Sequence, residues 1–370
     1  MKIKNFFEFL NELGADLFTG VPDSLLASFT DEIVRRYGIS EKHIVAANEG
    51  AAVGIAAGHY LATGNPAVVY MQNSGIGNAI NPICSLIHKK AHAIPVIFVI
   101  GWRGEPGTKD EPQHVFQGEI TLKTLDSLDV PYFIVSRDAN LKETAEYFKR
   151  RILEGVSVAL VVKNGAFAKE SPTPFANNKA PLSREDALKI ILKNSQKSDI
   201  FICATGKLSR EVHDLRIAMN DSSNRDFLTV GSMGHCIMIA FGVALAKPNS
   251  RVFCLDGDGS MLMHMGSVAV VGTNSPKNLI HIVINNGAHE TVGGMPTASA
   301  KLRLADIAKA CGYADCRNAK TSTELETALK SISDGPVFIE TICNLNSRSD
   351  LGRPLKSPEE NKKLFMKKIK

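Results

Sequence analysis

The chain has 370 residues, of which 44% are hydrophobic and 22% charged, and its formal net charge is +5. These values exclude a disordered or collagen-like chain, and about 150 residues per domain predicts two domains. The charge is too small to indicate a nucleic-acid partner. No apolar run reaches the ~20 residues that cross a bilayer, and Glu8 and Glu12 interrupt the first one, against a signal peptide. The seven scattered cysteines, without C-x-x-C, predict reduced thiols in a cytoplasmic protein.

Short apolar, β-branched runs alternate with amphipathic stretches through the first half of the chain. Helices are predicted at Ser24–Tyr37, Gly50–Ala62 and Leu141–Leu153. Strands are predicted at Leu17–Thr19, Ile44–Ala46, Ala67–Met71, Pro95–Ile100, Tyr132–Val135 and Val158–Val162. This alternation is typical of a parallel sheet covered by helices on both faces.

The segment Lys169–Leu182, with its prolines and asparagines, is predicted to be a linker. The alternation then resumes, with strands predicted at Ile200–Ala204, Phe227–Val230, Val252–Leu255, Leu279–Ile284, Ala314–Cys316 and Val337–Thr341. We therefore predict two α/β domains, residues 1–168 and 183–370, each built on a parallel sheet. Ligands bind at the carboxyl ends of strands in such sheets, so the residues that follow each strand are the candidates for function.

The strongest motif spans two successive strand ends in the second half. Val252–Asp256 leads into Gly257-Asp258-Gly259-Ser260, and the next strand leads into Asn285-Asn286-Gly287. Carboxylate, carboxamide and phosphate oxygens are the ligands that Mg²⁺ prefers. The glycines allow a phosphate to approach the backbone, and a helix start at Ser260 offers free N–H groups. If Gly257-Asp258-Gly259 stood alone, a glycine turn capped by Asp258 would explain it. Together with Asn285-Asn286 at the next strand end, it predicts a site for a diphosphate and a metal.

This pair resembles the signature of thiamine-diphosphate enzymes, GDG followed by NN. The resemblance implies a glutamate on the other domain, beside the aminopyrimidine ring of the cofactor. Glu49, which precedes Gly50-Ala51-Ala52 after a predicted strand, is similar to that catalytic glutamate. It would favour the imino tautomer of the ring, and apolar neighbours should raise its pKa. The alternative for Glu49 alone is a helix-start carboxylate favoured by the helix dipole.

The same resemblance implies the other cofactor contacts. Met233 would wedge between the two rings of the cofactor, and Asp258, the Asn286 side chain and the Ala288 carbonyl would bind Mg²⁺. The predicted cofactor-binding residues are Glu49, Thr205, Gly206, Gly231, Ser232, Met233, Gly234, Gly257, Asp258, Gly259, Ser260 and Asn286.

Only the predicted linker separates the two halves, so the middle domain of the larger decarboxylases is missing. This two-domain plan resembles that of the phosphonopyruvate and sulfopyruvate decarboxylases. Similar segments include Thr19–Ser24, Gln72–Asn78, Trp102–His114, Gly231–His235, Asn285–Glu290 and Asp350–Pro354. The resemblance implies decarboxylation of 3-phosphonopyruvate to 2-phosphonoacetaldehyde and carbon dioxide in phosphonate biosynthesis. It also implies a homodimer or larger homo-oligomer, because the family binds its cofactor between chains.

Recognition of a carboxylate and a phosphonate requires cationic or donor groups near strand ends. The candidates for substrate contact or proton relay are Asp23, Ser24, Arg103, Lys109, His114, His235, His289, Arg348 and Arg353. The alternative for each basic residue is an ordinary solvated charge on the surface, and the alternative for each histidine is an ordinary position in a loop. The alternative for Asp23 is the cap of the helix that follows it. Two loops that carry several of them, Gly101–Gly118 and Ser347–Pro358, are predicted to fold over the substrate.

Four other functions are alternatives for this sequence. A sulfopyruvate decarboxylase shares the chemistry and differs in the anion that it recognises. A carboligase usually carries the middle domain that is missing here. A nicotinamide-dependent oxidoreductase would rest on Gly75-Ile76-Gly77, which lacks the third glycine of the motif. A non-catalytic binding protein is expected to lose Glu49 or Asp258.

Overall fold

The computed structural model describes residues 1–168, 179–221, 224–348, 350–354 and 356–370. The chain divides into two compact units, Met1–Pro174 and Phe175–Lys370. The predicted linker lies largely outside the described residues. Its last residue, Leu182, is buried in a core cluster of the second unit. The domain boundaries stay a prediction.

The first unit is a parallel sheet whose described strands run in the order β2-β1-β3-β4-β6-β5. Its elements are α1 (Ile3–Glu12), β1 (Phe18–Gly20), α2 (Ala27–Tyr37), β2 (His43–Val45), α3 (Glu49–Thr63), β3 (Val68–Gln72), α4 (Ile76–Pro82), β4 (Ile97–Gly101), α5 (Pro112–Ser127), β5 (Tyr132–Val135), α6 (Lys142–Leu153) and β6 (Val158–Val162). Every predicted strand of this half is confirmed. The predicted helix Ser24–Tyr37 starts as a 3₁₀ turn, Ser24–Leu26, before α2.

The second unit has a parallel sheet in the order β13-β14-β10-β9-β7-β8. Its elements are α7 (Arg184–Lys193), β7 (Ile200–Cys203), α8 (Lys207–Ala218), β8 (Asp226–Leu228), α9 (Cys236–Ala246), β9 (Val252–Gly257), α10 (Asp258–Met263), α11 (Gly266–Asn274), β10 (Leu279–Asn285), β11 (Ala288–His289), β12 (Met295–Pro296), α12 (Leu304–Ala310), β13 (Asp315–Ala319), α13 (Ser322–Lys330), β14 (Val337–Ile342) and α14 (Pro358–Ile369). The predicted strands are again confirmed. The antiparallel hairpin of β11 and β12 was not predicted.

Both sheets are buried on both faces, as the apolar runs predicted. Successive side chains of a strand point to opposite faces, so Val68 and Tyr70 of β3 join one core cluster and Val69 and Met71 join another. The second sheet has two such clusters as well. Since all strands of a sheet run in parallel, the loops after them gather at one edge, where the candidate residues lie.

Two predictions about the whole chain are also tested. All seven cysteines lie among the described residues and are free thiols, and Cys203, Cys236, Cys254 and Cys343 are buried. Within the described ranges, the structure contains no helix with the length and apolar character that a membrane crossing needs.

Candidate active site

In the first unit, Glu49 lies at the start of α3, directly after β2. Asn48 caps this helix by accepting a hydrogen bond from the Ala51 N–H (2.8 Å). Glu49 is only 5% exposed, and its Oε2 accepts a 2.8 Å hydrogen bond from Asn78 Nδ2. Burial raises the pKa of Glu49, and the hydrogen bond from Asn78 offsets only part of that rise. The predicted direction of the pKa shift is therefore confirmed.

The start of α4 forms the other side of the Glu49 environment. A Cβ atom at Gly75 would collide with the Glu49 carboxyl group, so a larger residue here would displace that group. Gly75 therefore belongs to a glutamate pocket rather than to a dinucleotide-binding turn. Asn78 and Gly75 lie in the segment Gln72–Asn78. The sequence pointed to no role for Asn78, and it placed Gly75 only in the incomplete dinucleotide-binding motif.

A second buried carboxyl group, Asp23, follows β1. Its Oδ1 accepts from Gln72 Nε2 (2.7 Å), and its Oδ2 accepts from the Leu25 N–H (3.3 Å). Asp23 is thus the cap of the 3₁₀ turn, which was its alternative reading, and it also contacts a strand end. Burial raises its pKa, although Gln72 and the charge of Arg103 counteract this. The protonated form of Asp23 is therefore more favoured than that of an exposed aspartate.

Arg103 lies close to Asp23 and Ser24, after β4. It forms a bidentate pair with Asp110, with Nε–Oδ2 at 2.8 Å and Nη2–Oδ1 at 2.5 Å. Its Nη1 donates to Ser24 Oγ (3.2 Å). The structure therefore brings together Asp23, Ser24 and Arg103, three of the predicted substrate residues.

The predicted loop Gly101–Gly118 is wrong in its second part, because α5 begins at Pro112. Proline favours the first turn of a helix, where its missing N–H costs nothing. His114 lies half-buried on α5, and burial together with Arg103 lowers its pKa. Lys109 is exposed in the part that remains a loop.

In the second unit, Asp258 is the first residue of α10, two residues before the predicted helix start. Asp258 is 3% exposed. Its Oδ2 accepts hydrogen bonds from Thr297 Oγ1 (2.5 Å) and Ser299 Oγ (2.6 Å). Burial raises its pKa in spite of these donors. A nearby cation would stabilise the ionised form of such a carboxyl group.

Asn286 and Ala288 follow β10, the strand beside β9. The register pairs Val283 with Asp256 and Ile284 with Gly257, so Asp258 and Asn286 follow neighbouring strand ends. The Asn286 Oδ1 accepts from the Ala288 N–H (3.1 Å), and its Nδ2 donates to Glu290 Oε2 (3.0 Å). A carboxylate, a carboxamide and a main-chain carbonyl are the oxygen donors that a hard divalent cation requires. This donor set fits Mg²⁺.

Gly259, His289 and Met233 converge beside Asp258. A Cβ at Gly259 would lie 2.9 Å from His289 Cε1 and 3.4 Å from Met233 Cε, so a larger residue here would displace the His289 ring. Burial lowers the pKa of His289 to about 4, which makes its ring neutral at physiological pH. Ser260 Oγ accepts from the Gly234 N–H (3.1 Å), which ties the loop after β8 to α10.

The remaining predicted residues of this unit are placed as follows. Thr205 and Gly206 follow β7, and Gly206 is the residue before α8, with a φ of +95°. Gly231 and Ser232 lie in the loop after β8, next to Met233. His235 is exposed, and its ring lies 4.5 Å from that of His264.

The tail places Arg348 among carboxylates. It contacts Glu185 (2.9 Å), Asp214 (3.0 Å) and Asp350 (3.3 Å). Arg353 is exposed. Residues 349 and 355 of the predicted loop Ser347–Pro358 lie outside the described part of the chain. A role of Arg348 in substrate binding would require it to leave these partners, and both arginines stay predictions.

Sequence reasoning missed the residues that hold the candidate site side chains: Asn78 at Glu49, Thr297 and Ser299 at Asp258, and Glu290 at Asn286. Gly293-Gly294 was a turn signal that could have indicated the hairpin, and the hairpin carries Thr297 and Ser299 to Asp258. The other contacts left no local signal.

Comparisons with known proteins agree with this geometry. Residues 4–126 match the N-terminal thiamine pyrophosphate (thiamine diphosphate) binding domain of thiamine pyrophosphate enzymes, and residues 204–341 match the C-terminal domain. The chain is 33% identical to a phosphonopyruvate decarboxylase of Streptomyces viridochromogenes, over 96% of this chain and 92% of the relative. The chain belongs to the phosphonopyruvate decarboxylase family of thiamine pyrophosphate enzymes. This confirms the predicted family, fold class and enzyme class.

Two further relatives are informative. A phosphonopyruvate decarboxylase of Streptomyces hygroscopicus is 32% identical, over 96% of this chain and 91% of the relative. A sulfopyruvate decarboxylase of Methanosarcina acetivorans is 25% identical, over 97% and 95%. The family thus includes relatives named for two different anionic substrates.

Proposed function

We propose that the chain catalyses the decarboxylation of 3-phosphonopyruvate to 2-phosphonoacetaldehyde and carbon dioxide, with thiamine diphosphate and Mg²⁺. The observation that carries the proposal is that each unit holds one part of the chemistry that this cofactor needs. One unit has the buried carboxyl group of Glu49, and the other has the oxygen donors of Asp258 and Asn286. The similarity to phosphonopyruvate decarboxylases over nearly the whole chain supports the substrate.

The second unit would bind the diphosphate and the metal. Asp258, Asn286 Oδ1 and the Ala288 carbonyl would be the metal ligands, and Thr205, Gly206 and Gly257–Ser260 would contact the diphosphate. When bound, thiamine diphosphate supplies the electron sink that a 2-oxoacid needs to lose carbon dioxide. Met233 and the neutral His289 would flank the cofactor at Gly259.

Glu49 would hold and move a proton at the aminopyrimidine ring. Its burial excludes water, and Asn78 and Gly75 fix the position of its carboxyl group. Because burial raises its pKa, the carboxyl group gains and loses a proton more readily at physiological pH than an exposed glutamate. Glu49 is the proposed catalytic residue.

Asp23, Ser24 and Arg103 would recognise the substrate. One edge of the Arg103 guanidinium group pairs with Asp110, and Nη1 donates to Ser24 Oγ. The anionic group of the substrate could replace this hydroxyl oxygen as the acceptor. Burial raises the pKa of Asp23, and when this carboxyl group carries a proton it could donate a hydrogen bond to the substrate. For Lys109, His114, His235, Arg348 and Arg353 a substrate role stays a prediction.

We also propose a cytoplasmic homodimer or larger homo-oligomer, in which the cofactor contacts two chains as it does in the family. Mixing chains that carry Glu49→Gln with chains that carry Asp258→Ala tests the shared site. Hybrid oligomers regain activity if the two half-sites come from different chains, and stay inactive if one chain supplies both.

The substrate is tested by comparing kcat/KM for phosphonopyruvate and sulfopyruvate with the purified protein, thiamine diphosphate and Mg²⁺. We expect phosphonopyruvate to be preferred. Sulfopyruvate decarboxylation is the second candidate, because a sulfopyruvate decarboxylase matches almost the full chain. A higher kcat/KM for sulfopyruvate would establish that alternative.

A further inference from the structure

A carboxylate lies directly behind the candidate ligand Asn286. Glu290 starts the 3₁₀ turn after β11, and its Oε2 accepts a 3.0 Å hydrogen bond from Asn286 Nδ2. A carboxylate can only accept hydrogen bonds, so it fixes which end of the carboxamide faces it. Oδ1 then points away from Glu290, where it accepts from the Ala288 N–H.

Glu290 is itself held in place by two cations, the buried Arg184 and the partly exposed Lys207. Arg184 Nη1 donates to Glu290 Oε2 (2.5 Å), and Lys207 Nζ lies 3.6 Å from Oε1. The other edge of Arg184 forms two hydrogen bonds with Glu211, at 2.6 and 2.7 Å. The Arg184 and Glu211 side chains are 8% and 1% exposed, so this cluster of Arg184, Lys207, Glu211 and Glu290 has little freedom to rearrange.

We propose that Glu290 is a positioning residue for the metal site, which orients the Asn286 carboxamide so that Oδ1 faces the cation. The inference rests on the proposed function, because it takes Asn286 as a metal ligand. Groups that orient metal ligands typically contribute 10- to 100-fold in metal affinity. Without Glu290, the carboxamide is free to turn its NH₂ group, which cannot bind a cation, toward the metal.

The experiment is a calorimetric Mg²⁺ titration of the full-length protein in saturating thiamine diphosphate. Glu290→Ala is expected to weaken Mg²⁺ binding by about 10- to 100-fold. Glu290→Gln is expected to stay within a few-fold of wild type, because one amide oxygen at the Oε2 position can accept from both Arg184 and Asn286. Glu211→Gln is the matched control, since it perturbs the same cluster without touching Asn286.

Turnover gives a second measurement. In Glu290→Ala, a positioning role predicts that excess Mg²⁺ restores most of kcat. The proposal is overturned if Glu290→Ala binds Mg²⁺ like wild type, or if Glu290→Gln and Glu211→Gln weaken binding as much as Glu290→Ala. If wild type itself shows no Mg²⁺-dependent cofactor binding, the proposed function fails first, so the two failures are distinguishable.

Discussion

The hydrogen bond from Asn78 to Glu49 gives the sharpest prediction about the proton-transfer site. Asn78→Ala removes a 2.8 Å donor from a buried carboxyl group. A hydrogen bond to a charged group contributes about 1.5–3 kcal/mol, and its loss destabilises ionised Glu49, whose pKa therefore rises further. At 1.36 kcal/mol per pH unit, the acid limb of the kcat/KM profile should move up by about one to two pH units.

The assay is the pH dependence of kcat/KM for phosphonopyruvate at saturating cofactor and Mg²⁺. Asn81→Ala is the control, because Asn81 is an exposed residue of the same helix, α4. We expect its profile to coincide with that of wild type. An acid limb that stays in place in Asn78→Ala would refute the idea that this hydrogen bond sets the ionisation of Glu49.

Other expected outcomes test the remaining parts of the site. Glu49→Gln should keep cofactor binding in calorimetry but lose about 10²–10⁴ in turnover, and full turnover would show that another group moves the proton. A raised pKa of Glu49 means that the folded protein binds the extra proton, so wild-type stability falls as pH rises from the unfolded toward the folded pKa. Glu49→Gln should lessen this fall in thermal melts. Asp258→Ala should abolish Mg²⁺-dependent cofactor binding in calorimetry, and wild-type affinity would contradict the ligand assignment. Arg103→Ala should lower kcat/KM for phosphonopyruvate by about ten- to a hundredfold and for pyruvate much less. Equal losses on the two substrates would give Arg103 a structural role.

The strands were predictable because burial on both faces of a parallel sheet requires continuous apolar runs, such as Val158–Val162. The two strand-end motifs were predictable for a related reason, since ligands collect at carboxyl ends. The hairpin of β11 and β12 was missed, because two-residue strands have no detectable period and only the turn signal Gly293-Gly294 marks it in the sequence. The contacts of Asn78 with Glu49, and of Thr297 with Asp258, depend on how distant segments pack together.

Residue types alone also left the role of the charged groups open. Arg103 and Arg348 both lie in loops with mixed charges, and the sequence could not rank them. The structure distinguishes them by their neighbours. Arg103 adjoins Ser24 and Asp23 at a strand edge, whereas three surface carboxylates surround Arg348.

The central claim is most directly tested by ³¹P NMR of the purified protein with 3-phosphonopyruvate. We expect the phosphonopyruvate signal to be replaced by that of 2-phosphonoacetaldehyde only when both thiamine diphosphate and Mg²⁺ are present. An unchanged substrate signal with both cofactors, or product formation without thiamine diphosphate, would contradict it.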